Sequence, residues 1–351
     1  MALSCLVISR TPALLNRLLA SLPAARSHWD AADEVLCSWN GAIAAEADLD
    51  PRLGPCPGGR PAFRVAQREP YHFASNMNGL ARRARGDRLL LVNDDVVLDP
   101  GCLDQAEAVL EEHPDAAVVG GLLRTSQGLL GHAGLLFDAN HYPFNRCRPE
   151  LGPLVAFTSP ELLVSGPIPA VTGALMLLRR ADLLAVPLRE TFQHCGEDVA
   201  LCLDLRRQLG RTAYYASTVT ALHDEKSTRG HTADAADLQA VAAIAGPQLA
   251  SDPTLLALQH QWQAREAAWI TERAVEQVQA TASAERALAA LRHDLQQRQI
   301  HWQQERLALI AQREDLRQQL LATWASHSWR ITRPLRLLGR LCRRLLHRAQ
   351  A

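Results

Sequence analysis

Leu89-Leu90-Leu91-Val92-Asn93-Asp94-Asp95 is the stretch from which the fold class can be read. Four consecutive apolar residues without polar alternation are the mark of a strand buried on both faces, and such strands belong to sheets covered by helices on either side. An acidic pair straight after that strand stands at its carboxyl end, where open α/β sheets bind their ligands. Two adjacent carboxylates repel one another unless a cation is present. Hard divalent ions take oxygen ligands while keeping water and phosphate oxygens in their shell, so a metal-bridged diphosphate is one reading. Asn-Asp-Asp is also ordinary turn chemistry, and the triplet alone does not separate the two.

Outward from this stretch the chain keeps the same grammar. Leu3 to Ser9 predicts a strand, Ala13 to Leu22 a helix, Glu34 to Ser38 a second strand, and the Pro- and Gly-rich residues 50–61 a loop. Leu80 to Arg85 predicts a helix stopped by Gly86, followed after the quoted strand by a helix over Leu103 to Glu112. Strands are expected at Ala116 to Gly120 and Ala174 to Leu178, a helix at Val199 to Leu209, and a strand from Thr212 that ends in His223. Strand and helix in alternation mean an α/β domain with a parallel sheet. A second acidic pair, Glu197-Asp198, follows Gly196 and opens a helix, where acidic side chains are also common as plain helix starters.

Composition narrows the partners. The 351 residues balance 37 basic against 37 acidic side chains and are 48% apolar, so neither a global polyanion-binding field nor an acidic disordered chain is on offer. The eight cysteines show no CxxC pair or metal-ligand spacing and sit in apolar runs, as buried reduced thiols of a cytosolic protein do. Met1 to Leu22 is interrupted by Arg10, Pro12, Asn16 and Arg17, which favours a strand and helix over a leader. No run reaches the roughly 18 apolar residues of a spanning helix, so an integral membrane protein is not expected.

From Thr254 to Arg333 there is neither Gly nor Pro, which predicts long helices. Leu288, Leu295, Trp302, Leu309 and Leu316 recur every seven residues, but their companions include Arg298, Glu305 and Gln312. A coiled coil, and through it a homo-oligomer, is compatible with this series; the number of strands is not readable. After Asp315 no acidic residue remains, and seven arginines from Arg330 to Arg348 are interleaved with leucines. Such a tail suits an anionic membrane surface, and a solvated or partner-docking helix end remains open beside it. Nucleic acid is not expected, because no recognised nucleic-acid motif accompanies these arginines.

Several blocks together resemble the family-two glycosyltransferases, which use the A-type nucleotide-sugar-binding fold. They are Phe73 to Gly79, Ala84 to Asp87, Leu89 to Asp95, Ala170 to Arg180, Gly196 to Leu203 and His223 to Gly230, in that order. The resemblance implies one Rossmann-like α/β domain of the GT-A type over residues 1–231. A linker (232–253), a long helical and possible coiled-coil region (254–323) and a basic amphipathic tail (324–351) are expected after it. It also implies roles. Asp95 and His223 match metal-holding positions for Mg or Mn. Asn40, Asn78, Asn93 and Asp94 fall to donor binding, and Gly173 and Ala174 to the acceptor site. Asp198 matches the general base of inverting members, with Glu197 beside it.

The activity implied by the resemblance is an inverting, metal-dependent transfer of a sugar from a nucleoside diphosphate donor to a lipid-linked or growing bacterial surface glycan. The location implied is cytoplasmic, peripheral on the inner face of the cytoplasmic membrane. The blocks around Thr172 to Ala174 and Ser227 to Gly230 resemble rhamnosyltransferase-like members with a dTDP donor. The chain also departs from the family: Ala200 replaces a usual Asp and Asp204 a usual Arg. Val186 to Phe192 replaces Gly-Gly-Phe-Asp-Glu, and Arg10-Thr11 replaces Tyr-Asn. These departures keep open a catalytically degenerate scaffold that binds sugar nucleotide and recruits assembly partners through its helices. A nucleotidyltransferase is disfavoured, since Ser9-Arg10-Thr11-Pro12 is not a glycine- and lysine-rich loop.

Overall fold

A computed structural model describes residues 1–49, 61–147, 156, 159–224 and 235–348. The loop expected at 50–61 lies, apart from Pro61, outside these residues, and so do Glu225 to Gly230. The described chain forms two compact units, Met1–Glu272 and Arg273–Ala351.

The first unit begins with β1 (Leu3–Ser9), α1 (Pro12–Ala25), β2 (Glu34–Trp39), β3 (Ala62–Gln67), α2 (Phe73–Arg83), β4 (Arg88–Asn93), β5 (Val96–Leu98) and α3 (Cys102–Glu112). It continues with β6 (Ala116–Arg124), β7 (Leu130–His132), β8 (Leu135–Phe137), β9 (Pro143–Asn145), β10 (Gly166–Ile168), β11 (Leu175–Arg179), α4 (Arg180–Ala185), α5 (Glu197–Leu209), β12 (Thr212–His223) and α6 (Ala235–Ser251). The main sheet runs β10-β12-β6-β11-β4-β1-β2-β3, with β5 on β12 and β7 on β6; β8 and β9 form a separate hairpin.

The quoted run is β4, and it is buried on both faces because its side chains alternate between two cores. Leu89 and Leu91 join Met77 and Leu80 of α2, while Leu90 and Val92 join Leu15 and Leu18 of α1 and Leu103 of α3. The expected parallel sheet holds for β3, β2, β1 and β4. β11 departs from it, running antiparallel to both β4 and β6. The chain reaches β11 after β7 to β10, beyond the carboxyl end of β4, and so enters the sheet from the opposite end. Register pairs Leu175 with Val92, which sets Gly173 and Ala174 beside Asn93.

Where a linker was expected at 232–253, Ala235–Ser251 is a helix. Gly246-Pro247 reads as punctuation, but α6 runs through it and buries Val241, Ala245 and Leu249. Gln248 Nε2 donates to the Leu203 carbonyl of α5 (2.8 Å), and Asp237 Oδ2 accepts from three successive backbone N–H groups, Gln193, His194 and Cys195 (3.1, 2.6 and 3.2 Å).

The next helix, α7 (Pro253–Ala325), belongs to the first unit as far as Glu272. Leu255, Gln259, Trp262, Glu266 and Trp269, spaced alternately by four and three, are buried. Gln259 brackets Phe137 of the β8–β9 hairpin, donating to its carbonyl (2.6 Å) and accepting from its N–H (3.2 Å). Glu266 Oε1 accepts from Cys147 N–H (2.6 Å), and Trp262 lies 4.2 Å under the buried Arg146 guanidinium. The start of the long helix is therefore part of the domain that the sequence reading closed at residue 231. The second unit holds the rest of α7, α8 (His327–Ile331) and α9 (Arg333–Arg348). Leu288, Leu295, Trp302, Leu309 and Leu316 are all exposed along it. Among the described residues no helix is long and apolar enough to cross a membrane.

Candidate active site

A cleft of about 310 Å³ opens at the carboxyl ends of β1 and β4. It is lined by Asn40, Asn93, Asp94, Asp95, Gly173, Ala174, Glu197, Asp198 and His223, so the structure gathers nine of the ten residues read from the sequence. The tenth, Asn78, lies elsewhere. It is buried in α2, donating from Nδ2 to the Leu188 carbonyl (2.9 Å) and Glu190 Oε1 (3.0 Å) and accepting from Leu188 N–H (3.0 Å). Its amide ties α2 to the 186–192 segment, which corrects the donor-binding assignment: its oxygen and its amide N–H groups are already in use inside the fold.

Sheet register explains the meeting of Asp95 and His223. β5 starts one residue after Asp95 and runs antiparallel to the end of β12, pairing Val96 with His223. The His223 Nε2 to Asp95 Oδ1 distance is 3.3 Å. Asp94 accepts instead from Ser9 Oγ (2.7 Å). Burial, reinforced by the Asp95 charge and opposed by the Ser9 hydrogen bond, pushes its carboxyl up to about 6. Asn40 is anchored by its N–H to the Ser9 carbonyl (2.8 Å) and by its Nδ2 to the Glu69 carbonyl.

The start of α5 also lines the cleft. Gly196 caps it at φ +93°, a left-handed conformation that favours glycine, and Glu197 and Asp198 form the first turn. Asp198 Oδ2 accepts from Gly173 N–H (2.7 Å) and Oδ1 from Val199 N–H (2.8 Å). A Cβ at Gly173 would stand 3.2 Å from both Asp198 Cβ and Phe73 Cζ, so glycine is what lets the loop come this close. Two departures from the family pattern are partners: Arg189 makes a bidentate pair with Asp204 (2.6 and 2.8 Å).

Sequence reading missed Ser9, Tyr71, His132 and Asn145. Ser9 was findable, since it ends β1 at the edge where ligands bind. Asn145, in a three-residue strand, carries no such signal. It lines the cleft, and behind it His132 is buried, with Nδ1 2.7 Å from Asn145 Oδ1. Burial pushes His132 down to about 4. The folded state thus disfavours the imidazolium, and its stability should fall as pH drops from about 6.5 to about 4, where the unfolded chain binds the extra proton. The stability advantage of wild type over His132→Gln should shrink across that window by about 3 kcal/mol. Urea denaturation at several pH values measures it; a constant difference would mean that His132 is not held neutral.

The model of the family described as "Glycosyltransferase like family 2" matches residues 54–242, more than half of the chain. The chain belongs to this family. It is 31% identical over 195 residues to the O-antigen biosynthesis protein RfbC of Myxococcus xanthus, covering 54% of this chain and 14% of that one. It is 28% identical over 214 residues to the uncharacterized protein y4gI of Sinorhizobium fredii (strain NBRC 101917 / NGR234), covering 56% of this chain and 22% of that one. The chain thus spans less than a quarter of the length of either curated relative. Among solved structures, GalNAc-T7 with UDP, GalNAc and Mn2+ superposes with a TM-score of 0.50 at 13% identity, over 67% of this chain and 45% of that one. At that identity the likeness speaks for the fold, which is the GT-A type expected of family 2.

Proposed function

We propose that this family 2 chain is an inverting glycosyltransferase that takes a sugar from a nucleoside diphosphate donor. The observation that carries the proposal is one cleft that is lined both by the Asp95–His223 pair and by Asp198 at the start of α5. A sugar hydroxyl is a weak nucleophile, and Asp198 is the group placed to take its proton as it attacks the anomeric carbon. One base acting from one face gives inversion. Glu197, buried beside it, is the second carboxylate of that first turn.

A divalent cation fits the Asp95–His223 pair. Adjacent ligands on an octahedral ion at about 2.1 Å stand about 3 Å apart, and the Asp95 and His223 atoms are separated by 3.3 Å. Among the described residues no three His, Cys, Asp or Glu side chains form a complete cage. Two protein ligands leave the rest of a Mg or Mn shell to water and diphosphate oxygens, as such ions prefer. Bound there, the ion would offset the charge of the departing diphosphate. The solved GalNAc-T7 likewise carries UDP and Mn2+.

The acceptor we propose is a lipid-linked or growing surface polysaccharide, in keeping with the name of the Myxococcus xanthus relative. Rhamnose from dTDP is proposed as the sugar on the Thr172-Gly173-Ala174 block; the companion block Ser227 to Gly230 lies outside the described residues. A panel of UDP, GDP and dTDP sugars, screened by thermal shift with and without Mn, tests the reading. A donor bound by the native state raises its apparent stability, and no shift with any sugar nucleotide would defeat the proposal.

The tail supplies the proposed location, the inner face of the cytoplasmic membrane. Arg330, Arg333, Arg336 and Arg340 alternate with exposed Ile331, Leu335, Leu337 and Leu338 in α8 and α9. Basic residues near an anionic leaflet each contribute about 1 kcal/mol, and that part weakens as salt screens it. Deleting residues 324–351 should release the protein from anionic vesicles in co-sedimentation and leave reaction with a short soluble acceptor nearly intact. Equal sedimentation of both chains, or binding indifferent to salt, would point to a protein partner for the tail instead.

A further inference from the structure

We infer that Asn145 recognises a hydroxyl of the transferred sugar through an amide N–H whose direction His132 fixes. This rests on the glycosyltransferase reading of the cleft and adds to it a residue that sets sugar specificity. His132 Nε2 stands 3.1 Å from the backbone nitrogen of Gly134 and 3.3 Å from that of Thr172, and both are N–H donors. A ring nitrogen that accepts two N–H groups cannot itself carry a proton, so the hydrogen of the neutral ring sits on Nδ1. Nδ1–H therefore donates across 2.7 Å to Asn145, and the Asn145 atom that meets it has to be the carbonyl oxygen. The amide nitrogen takes no part in that bond, and Asn145 lines the cleft.

The surrounding chain holds this arrangement on both sides. Leu135 of β8 pairs with Asn145, and the hairpin they form is clasped by Gln259 of α7 at Phe137 and by Glu266 just beyond, at Cys147. On the other side, the Thr172 that donates to His132 is followed by Gly173, whose N–H goes to Asp198. Asn145 is thus connected to the base by one imidazole and one peptide unit. Asp95 and His223, the proposed cation ligands, line the same cleft. Between a diphosphate at that pair and an acceptor oxygen at Asp198 lies the sugar being moved, and an uncharged N–H donor held in one direction suits an uncharged hydroxyl.

The test compares wild type and Asn145→Ala for binding of UDP, GDP and dTDP and of UDP-glucose, UDP-N-acetylglucosamine, GDP-mannose and dTDP-rhamnose, by calorimetry with Mn present. For the sugar nucleotide that wild type binds, the variant should lose about 10-fold in affinity, while its affinity for the matching nucleoside diphosphate changes less than about twofold. Retained diphosphate binding also reports that the variant is folded. Deoxy analogues of that sugar then identify the contact: one of them should bind wild type more weakly but bind Asn145→Ala no more weakly than the parent sugar does. Unchanged sugar-nucleotide affinity, an equal loss for sugar nucleotide and diphosphate, or no such analogue would each overturn the assignment while leaving the glycosyltransferase reading standing. Failure of wild type to bind any of the seven compounds would overturn both.

Discussion

Asp198→Asn is expected to lower turnover by roughly 100-fold or more, the usual scale for loss of a general base, while the fold and donor affinity stay close to wild type. The local geometry says why the effects should separate. Each Asp198 oxygen already accepts one backbone N–H, from Gly173 and from Val199, yet a carboxylate oxygen has two lone-pair directions, so one on each oxygen remains for an incoming hydroxyl. Asparagine keeps one accepting oxygen, enough for the Gly173 N–H, gives up the bond from the Val199 N–H at the first turn of α5, and offers no basic site. In the proposed arrangement donor binding rests on Asp95 and His223 rather than on Asp198 and should be unaffected. Steady-state kinetics beside calorimetric donor titration measure the two quantities. A larger loss of turnover in Glu197→Gln than in Asp198→Asn would move the role to Glu197, and full activity in Asp198→Asn would remove the base assignment.

The sequence made β4 and its acidic end legible because burial on both faces leaves a compositional mark that needs no tertiary information. His223 was legible only through the family pattern, since its partner, Asp95, is 128 residues away and is brought to it by the pairing of Val96 with His223. Asn78 shows the opposite case. An asparagine in the donor half of the chain reads the same whether it binds a ligand or fastens a loop, and only the distant Leu188 and Glu190 decide which. The extent of the first unit was hidden for a similar reason. Trp262 and Gln259 sit in a breaker-free helical run that looks uniform, but their partners, Arg146, Pro167 and Phe137, lie about a hundred residues upstream. Local pattern fixes which element forms, and packing decides to what it belongs.

Asp95→Ala should abolish the dependence of donor binding on a divalent cation. Asp95 and His223 are the two ligands we propose for the ion, and of these only the carboxylate brings a negative charge. Asp94 is a poor substitute, because it is buried and its Oδ2 is already engaged by Ser9 Oγ. With Asp95 gone, an imidazole alone would have to hold a hard ion that prefers oxygen, and the diphosphate would lose its link to the protein. His223→Ala should give a milder version, because the charged ligand survives. Calorimetric titration of nucleoside diphosphate with Mn and with chelator measures both variants. If Asp95→Ala binds with wild-type affinity and the same response to chelator, the cation site lies elsewhere; if wild type itself ignores chelator, diphosphate binding here relies on other groups, among them Arg10, which lines the cleft.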